Sequence, residues 1–335
     1  MVSSDQIATS KEIQKRTGTT FYFATRLLPD RVRRATYVLY AFFRIADEVV
    51  DGDQSLSADE QATELARLRA EALGERKPEG EVMRAFRSIA DRYDIADGDI
   101  NAFVDAMATD IDTSRYPTYD DLQAYMDGSA GAVGLMMTSI MQPEDPERAR
   151  PHARALGEAF QLTNFLRDVR EDVLDRDRIY LPQTTLERYG VTDEQIERLE
   201  MDENFADVMR HELERTEGIY RDGVRGIKLL PSDCQFPVLL AAVLYAEYHR
   251  LIRAVDYDVL NNEPSLSLTR MTSLLVKTGF YWLRWHDPER VFDAVSAVEC
   301  TVQTDDSDRT SRLDLDSELE ESETDSSPRD TIPAR

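Results

Sequence analysis

The chain has 335 residues, enough for one large domain or two small ones. Its 65 acidic and 40 basic side chains leave a net charge of −25 and a pI near 4.6, which excludes a nucleic-acid binder, because the phosphate backbone would be repelled. Cys234 and Cys300 are the only cysteines, so neither a disulfide framework nor a cysteine-rich metal site is expected.

Lysine is scarce: Lys11, Lys15, Lys77, Lys228 and Lys277 complete the set. An acidic, lysine-poor surface is expected of a halophilic, salt-adapted protein, where concentrated salt screens the self-repulsion. The first ten residues are polar and do not read as a signal peptide. No apolar run is long enough to span a membrane. A cytoplasmic protein is expected.

Residues 1–16 are polar and turn helical towards their end. Thr17-Gly18-Thr19-Thr20 is a hydroxyl-rich entry to a helix holding Phe21 and Phe23. It reads as an N-cap cluster. Thr17 and Thr20 are also suited to contact a diphosphate at a helix start. Pro29-Asp30 opens the next helix and Gly52 ends it. That helix is strongly apolar, yet Tyr40, Arg44, Asp47 and Asp51 fall at i, i+4, i+7 and i+11, on one polar line.

Residues 58–73 read as an amphipathic helix, with Leu65, Leu68 and Leu73 inward. Residues 82–93 and 99–113 read as two more. Tyr116-Pro117-Thr118 breaks the chain before a helix containing Tyr125. There Gly128, Gly131 and Gly134 recur every third residue. Three glycines weaken a helix by roughly 1 kcal/mol each, which predicts a kink, close helix packing or a close approach to a ligand.

Residues 146–175 are expected to form one central helix. Gln161, Asn164, Asp168 and Asp172 fall at i, i+3, i+7 and i+11, a second polar line beside Leu162, Phe165, Leu166 and Val169. Burying carboxylates among apolar rows is costly unless something binds there. Carboxylate and amide oxygens suit Mg²⁺ or Mn²⁺. Asp47, Asp51, Asn164, Asp168 and Asp172 are therefore the candidate metal ligands. Two facing lines could hold ions between them, and the ions a diphosphate.

Beyond Pro182 a charged stretch, 186–222, reads as variable. A long helix over 237–260 carries Tyr245, Tyr248 and Ile252. A last one over 270–285 includes Arg270, a candidate phosphate partner. From about residue 296 the composition turns to Asp, Glu, Ser and Thr, which predicts a disordered acidic tail over 296–335 behind a domain spanning 1–295.

Several of these stretches carry a resemblance. Asp-Glu-Val-Val-Asp (47–51) and Asn-Phe-Leu-Arg-Asp-Val-Arg-Glu-Asp (164–172) resemble the two aspartate-rich motifs of the squalene/phytoene synthases. Arg178-Ile179-Tyr180-Leu181-Pro182 resembles the segment after the second motif. Tyr125 to Gly134 resembles the family's Ala-Gly-x-Val-Gly helix. Thr20 to Ala24 and Leu27-Leu28-Pro29 resemble its N-terminal segment. The match runs in order over about residues 10–285.

The resemblance implies an all-α fold, a single isoprenoid-synthase helical domain around a central pocket. It implies a Mg²⁺-dependent prenyl transferase with Asp47, Asp51, Asp168 and Asp172 as its catalytic acids. Thr17, Thr20, Tyr40, Arg44, Gln161, Asn164, Arg167, Tyr180 and Tyr248 would hold the diphosphate. Phe21, Thr25, Tyr125, Val133, Gly134, Gly157, Leu162 and Phe165 would line the hydrocarbon pocket, with Phe42 a further candidate. The motif Asp47 to Asp51 resembles the carotenoid branch. This implies head-to-head condensation of two geranylgeranyl diphosphates to phytoene through a cyclopropyl diphosphate. No NADPH is expected, and a membrane surface is a candidate partner for so apolar a product. The rival readings are a squalene or dehydrosqualene synthase using farnesyl diphosphate, and a non-catalytic binding module. The last is disfavoured because all four aspartates are present. Thr25 stands where dehydrosqualene-forming members carry a bulky aromatic, which implies room for the longer substrate.

Overall fold

In the computed structural model, residues 10–11, 19–52 and 56–298 are described. Thr17 and the acidic stretch from residue 299 onward lie outside them. Every regular element among the described residues is helical, apart from a lone β-bridge between Arg115 and Ile179.

The chain begins with α1 (Thr19–Thr25) and α2 (Asp30–Asp51). In α2, Val32, Ala35, Leu39, Phe42 and Ala46 recur at helical spacing and are buried. Next come α3 (Ala58–Leu73), α4 (Gly80–Tyr93) and α5 (Asp97–Thr109). A capping box of Ser57 and Glu60 starts α3, and Gly74, at φ +79°, ends it in the left-handed region. A second box, Thr118 with Asp121, starts α6 (Tyr119–Met126). A π-helical turn, Asp127–Gly131, joins α6 to α7 (Ala132–Met141).

The second half holds α8 (Pro146–Arg167), α9 (Val169–Arg176), α10 (Gln183–Tyr189) and α11 (Asp193–Glu197). It continues through α12 (Glu203–Arg225), α13 (Ser232–Ala254), α14 (Leu268–Trp285) and α15 (Pro288–Val295). Helix α8 is central: it packs on α7, α12 and α13. Three apolar clusters surround it. One is built on α2, α4 and α5, where Phe42 stacks on Phe86 at 4.0 Å. A second lies between α12, α13, α14 and α15, and a third under α10 to α12.

Three expectations need correction. The central helix is not continuous over 146–175, because it bends at Asp168 (φ −102°, ψ 16°). The flanking bonds Asp168 N–H to Asn164 O (2.8 Å) and Asp172 N–H to Asp168 O (2.9 Å) survive. Arg167 grips the adjacent Asp168, a pairing that a straight helix holds apart. The charged stretch 186–222 is mostly ordered helix: α12 buries Phe205, Met209, Leu213 and Tyr220 at helical spacing, along with Glu212 and Glu217, which are held by Arg215 and Arg253. Helix α13 begins at Ser232 rather than at Pro237. Pro231 occupies its N-cap, and Pro237 sits in the second turn facing a cavity.

The glycine repeat is explained chiefly by packing. A Cβ on Gly134 would lie 2.3 Å from Ala153 O, and one on Gly157 would lie 2.4 Å from Ala130 O. Only glycine lets α7 and α8 approach this closely.

The compact unit extends to Val298. No described helix is long and apolar enough to cross a membrane.

Candidate active site

Each polar line leaves its helix towards the same space. Helix α2 contributes Tyr40, Arg44, Asp47 and Asp51, because their spacing puts them on one face while Val38 and Phe42 hold the other in the core. Helix α8 contributes Gln161, Asn164, Arg167 and Asp168, and α9 adds Glu171, Asp172 and Arg176. All of these line one pocket of about 390 Å³. Phe21, Tyr125, Val133, Gly157 and Phe165 line it too, as does Tyr180, which was expected among the diphosphate contacts. The pocket is therefore acidic at one end and aromatic and aliphatic at the other.

Arginines hold the acidic end together. Arg44 pairs with Asp47, and Arg167 with Asp168. Arg176 reaches Asp172 at 3.0 Å and Asp51 at 3.3 Å, so it bridges the two lines. Arg178, almost fully buried, holds Asp51 at 2.7 Å. Burial still raises Asp47 above the ordinary carboxylate value despite its arginine. Burial raises Asp172 to about 7, against the pull of Arg176. Five carboxylates there, Asp47, Asp51, Asp168, Glu171 and Asp172, meet four guanidiniums, Arg44, Arg167, Arg176 and Arg178, so the acidic end stays short of positive charge even with its arginines in place.

That shortage fits a divalent cation, as does the donor set of carboxylates with the amides of Gln161 and Asn164. Among the described residues no three acidic side chains approach closely enough to hold one ion by themselves. Mg²⁺ commonly takes only one or two carboxylates and completes its shell with substrate phosphates and water. Two short lines of aspartate, rather than one tight cluster, match that habit.

Three residues of the site escaped the sequence reading. Arg176 and Arg178 were legible in part, since Arg176 lies at i+4 from Asp172. Asp110 also lines the pocket. Its carboxylate accepts a hydrogen bond from Tyr125 Oη–H at 2.8 Å, and its Oδ1 is buried without a partner. Burial raises its carboxyl to about 7, with Arg178 and the Tyr125 bond pulling the other way. Phe103, Met107 and Asp110 fall at i, i+4 and i+7, the same signature that marked the two aspartate lines.

Other assignments move. Tyr248 stands beside the pocket: its ring lies 4.6 Å under the Arg167 guanidinium and its hydroxyl is 3.1 Å from Thr20 Oγ1. Tyr245, one turn earlier, lines the wall instead. Thr20 and Tyr248 position Arg167 rather than face the pocket. Tyr180 stacks on Phe165 at 3.7 Å and joins the aromatic wall. Leu162 and Phe42 are core residues, packed away from the pocket by their own helix faces. Arg270 is held by the buried Glu247 at 2.8 and 3.1 Å and does not line the pocket.

Thr25 and Gly134 line a second cavity of about 130 Å³. Its walls are almost wholly apolar, among them Ala24, Leu28, Leu156 and Ala241. Phe21, Val133, Met137, Gly157 and Phe160 border both cavities. Thr25 is buried, and its hydroxyl donates to Phe21 O at 2.8 Å, which leaves its methyl to the apolar side.

The same features recur in known proteins. A sequence model of the squalene/phytoene synthase family matches residues 14–271. A 15-cis-phytoene synthase of Synechocystis sp. is 33% identical over 75% of this chain and 77% of its own length. Phytoene synthase 2 of Solanum lycopersicum is 35% identical over 71% of this chain and 78% of its own. Among solved structures, a ligand-bound dehydrosqualene synthase superposes with a TM-score of 0.76 at 28% identity, covering 84% of this chain and 98% of the other. A squalene synthase from Alicyclobacillus acidocaldarius shares the fold, with a TM-score of 0.67 at 21% identity over 76% of this chain and 95% of its own. With its two aspartate lines meeting over one pocket and these relatives spanning most of its length, the chain belongs to the squalene/phytoene synthase family, whose members are prenyl transferases.

Proposed function

We propose that the protein condenses two molecules of geranylgeranyl diphosphate head to head into phytoene, through a cyclopropyl diphosphate, with release of diphosphate. The observation that carries this reading is the acidic mouth opening onto apolar space that shares a wall of five residues with a second apolar cavity. One prenyl chain extends into each, and both diphosphate ends meet at the aspartates. The phytoene synthases among the relatives favour the same reaction.

Mg²⁺ held by Asp47, Asp51, Asn164, Asp168 and Asp172 would neutralise the departing diphosphate. The protein's own part is then legible. Arg44, Arg167 and Arg176 line the mouth and donate hydrogen bonds as negative charge develops on the leaving group. Gln161 and Tyr40 orient its oxygens. Phe21, Val133, Phe165 and the Tyr125–Tyr180 pair exclude water from the allylic cation, which water would quench. Thr25 leaves the second cavity open where a larger side chain would fill it.

The structural likeness to a dehydrosqualene synthase favours a second reading, the same condensation with farnesyl diphosphate. Incubation with each labelled diphosphate and Mg²⁺, with and without NADPH, separates them. Phytoene formed without NADPH is the expected result. A product appearing only with NADPH, or only from farnesyl diphosphate, would overturn the proposal.

A further inference from the structure

In a chain this acidic, residues 264–286 contain no aspartate or glutamate, the longest such run in the sequence. They include all of α14. One face of α14 is buried through Met271, Leu274 and Thr278. The opposite face shows Val276, Phe280 and Leu283 at i, i+4 and i+7, exposed by 67%, 66% and 78%. Leu268 extends the stripe. The other large apolar side chains exposed among the described residues, Leu27 and Leu174, lie elsewhere. Lys277 and Arg284 flank the stripe one turn-pair apart, and neither forms an ion pair among the described residues.

We infer that this face of α14 docks the protein on an anionic lipid surface, lying in the interface rather than crossing it. An apolar stripe edged by unpaired cations on an acid-free helix is the pattern of an interfacial helix. Charge complementarity selects the occupant. At the modest salt of the vesicle test the remaining surface, acidic on balance, is repelled by an anionic bilayer, and the apolar stripe fixes which face meets it. A second copy fits less well: a twofold contact would bring Lys277 and Arg284 against a face with no acid to receive them.

Placement adds a reason, one that rests on the proposed function. Tyr281, Trp282 and Trp285 pack on the same apolar cluster as Phe23 of α1. Trp282 also contacts Phe236 of α13, ring centroids 6.1 Å apart. The neighbours of those two residues, Phe21, Ala24 and Thr25 on α1 and Pro237 and Val238 on α13, line the apolar cavity. The docked face is therefore one layer of side chains from the space that would hold a hydrocarbon product.

The test needs no substrate. Trp282 and Trp285 are the chain's only tryptophans and both lie on α14. The full chain at ~0.15 M KCl is mixed with vesicles of phosphatidylglycerol or of phosphatidylcholine, some carrying brominated acyl chains. We expect co-flotation with phosphatidylglycerol above phosphatidylcholine, and quenching of tryptophan emission by the brominated lipid. Phe280→Glu with Leu283→Glu should weaken binding at least about 10-fold at an unchanged melting temperature, while Phe280→Leu retains it. No flotation on either vesicle, or equal binding by the double variant, would overturn the inference. So would a wild-type dimer that the double variant converts to monomer, since the face would then belong to a second copy. Phytoene synthesis by a protein that does not float would refute docking alone, and flotation without phytoene synthesis would refute only the proposed reaction.

Discussion

The central residues of the proposed mechanism are the paired aspartates, which the fold keeps beside arginines. Asp47→Asn and Asp168→Asn are each expected to lower turnover at least ~100-fold, the scale of losing one key electrostatic contributor. EDTA should abolish turnover. Steady-state assays check both, and full activity in either variant would remove the metal assignment. Thr25 carries the size prediction. Its buried side chain faces the second cavity, and a ring there would take up space now open. Each isoprene unit adds about five carbons at ~0.8 kcal/mol per buried CH₂, so losing room for one unit should cost several kcal/mol of preference for the longer chain. Thr25→Phe is therefore expected to shift product towards the shorter substrate; an unchanged product ratio would show that length is set elsewhere. The aspartates were legible because they repeat a polar type at helical spacing on an apolar helix; Thr25 is singled out only through the family resemblance. Arg178 was not read, since its contacts with Asp51 and Asp110 join segments far apart in sequence; Asp110 was not, because it is the one acid on its line with Phe103 and Met107 and so makes no polar stripe.

At the scale of elements, α8 decides the geometry, since it faces both cavities and, with α9, holds the second polar line. Its close approach to α7 depends on Gly134. Gly134→Ala places a Cβ 2.3 Å from a backbone oxygen, so the helices must separate. Overpacking of this kind costs about 1–3 kcal/mol, and thermal melts should show a loss of several degrees. An unchanged melting temperature would contradict the packing account. Helix α8 also carries a pH response. Burial, and then the neighbouring Asp127, raise the Glu158 carboxyl to about 7 from an ordinary 4.5. The folded state therefore holds a proton that the unfolded chain releases between those values. This contribution to stability is complete below pH 4.5 and is lost as pH rises through 7. Glu158→Gln should melt with a flatter pH dependence between about pH 5 and 8 than the wild type does. Parallel curves would refute it. Helix positions were largely readable from caps and breakers, α3 to the residue. The bend at Asp168 was not, because it follows from a contact between adjacent side chains that periodicity does not register. Helix α12 was missed for the opposite reason: its many charges hid a regular apolar face.

For the whole molecule, a charge of −25 with few lysines predicts a fold that weakens when screening is removed. Melting temperature should rise between ~0.1 M and ~2 M KCl, where the screening length falls from about 10 Å to below 3 Å. Equal or better stability at low salt would contradict the halophilic reading. Removing residues 300–335, a stretch of acids, serines and threonines, should leave turnover intact. The helical class, the pocket and its two acid walls followed from the sequence. The division of apolar space into two cavities with a common wall did not, because it depends on how α1, α7, α8 and α13 meet. That division is also what the central claim rests on. Equimolar geranylgeranyl and farnesyl diphosphates, offered together to the full chain with Mg²⁺ and no NADPH, test it most directly. The expected result is that phytoene dominates the hydrocarbon product; a predominance of the C30 product would contradict it.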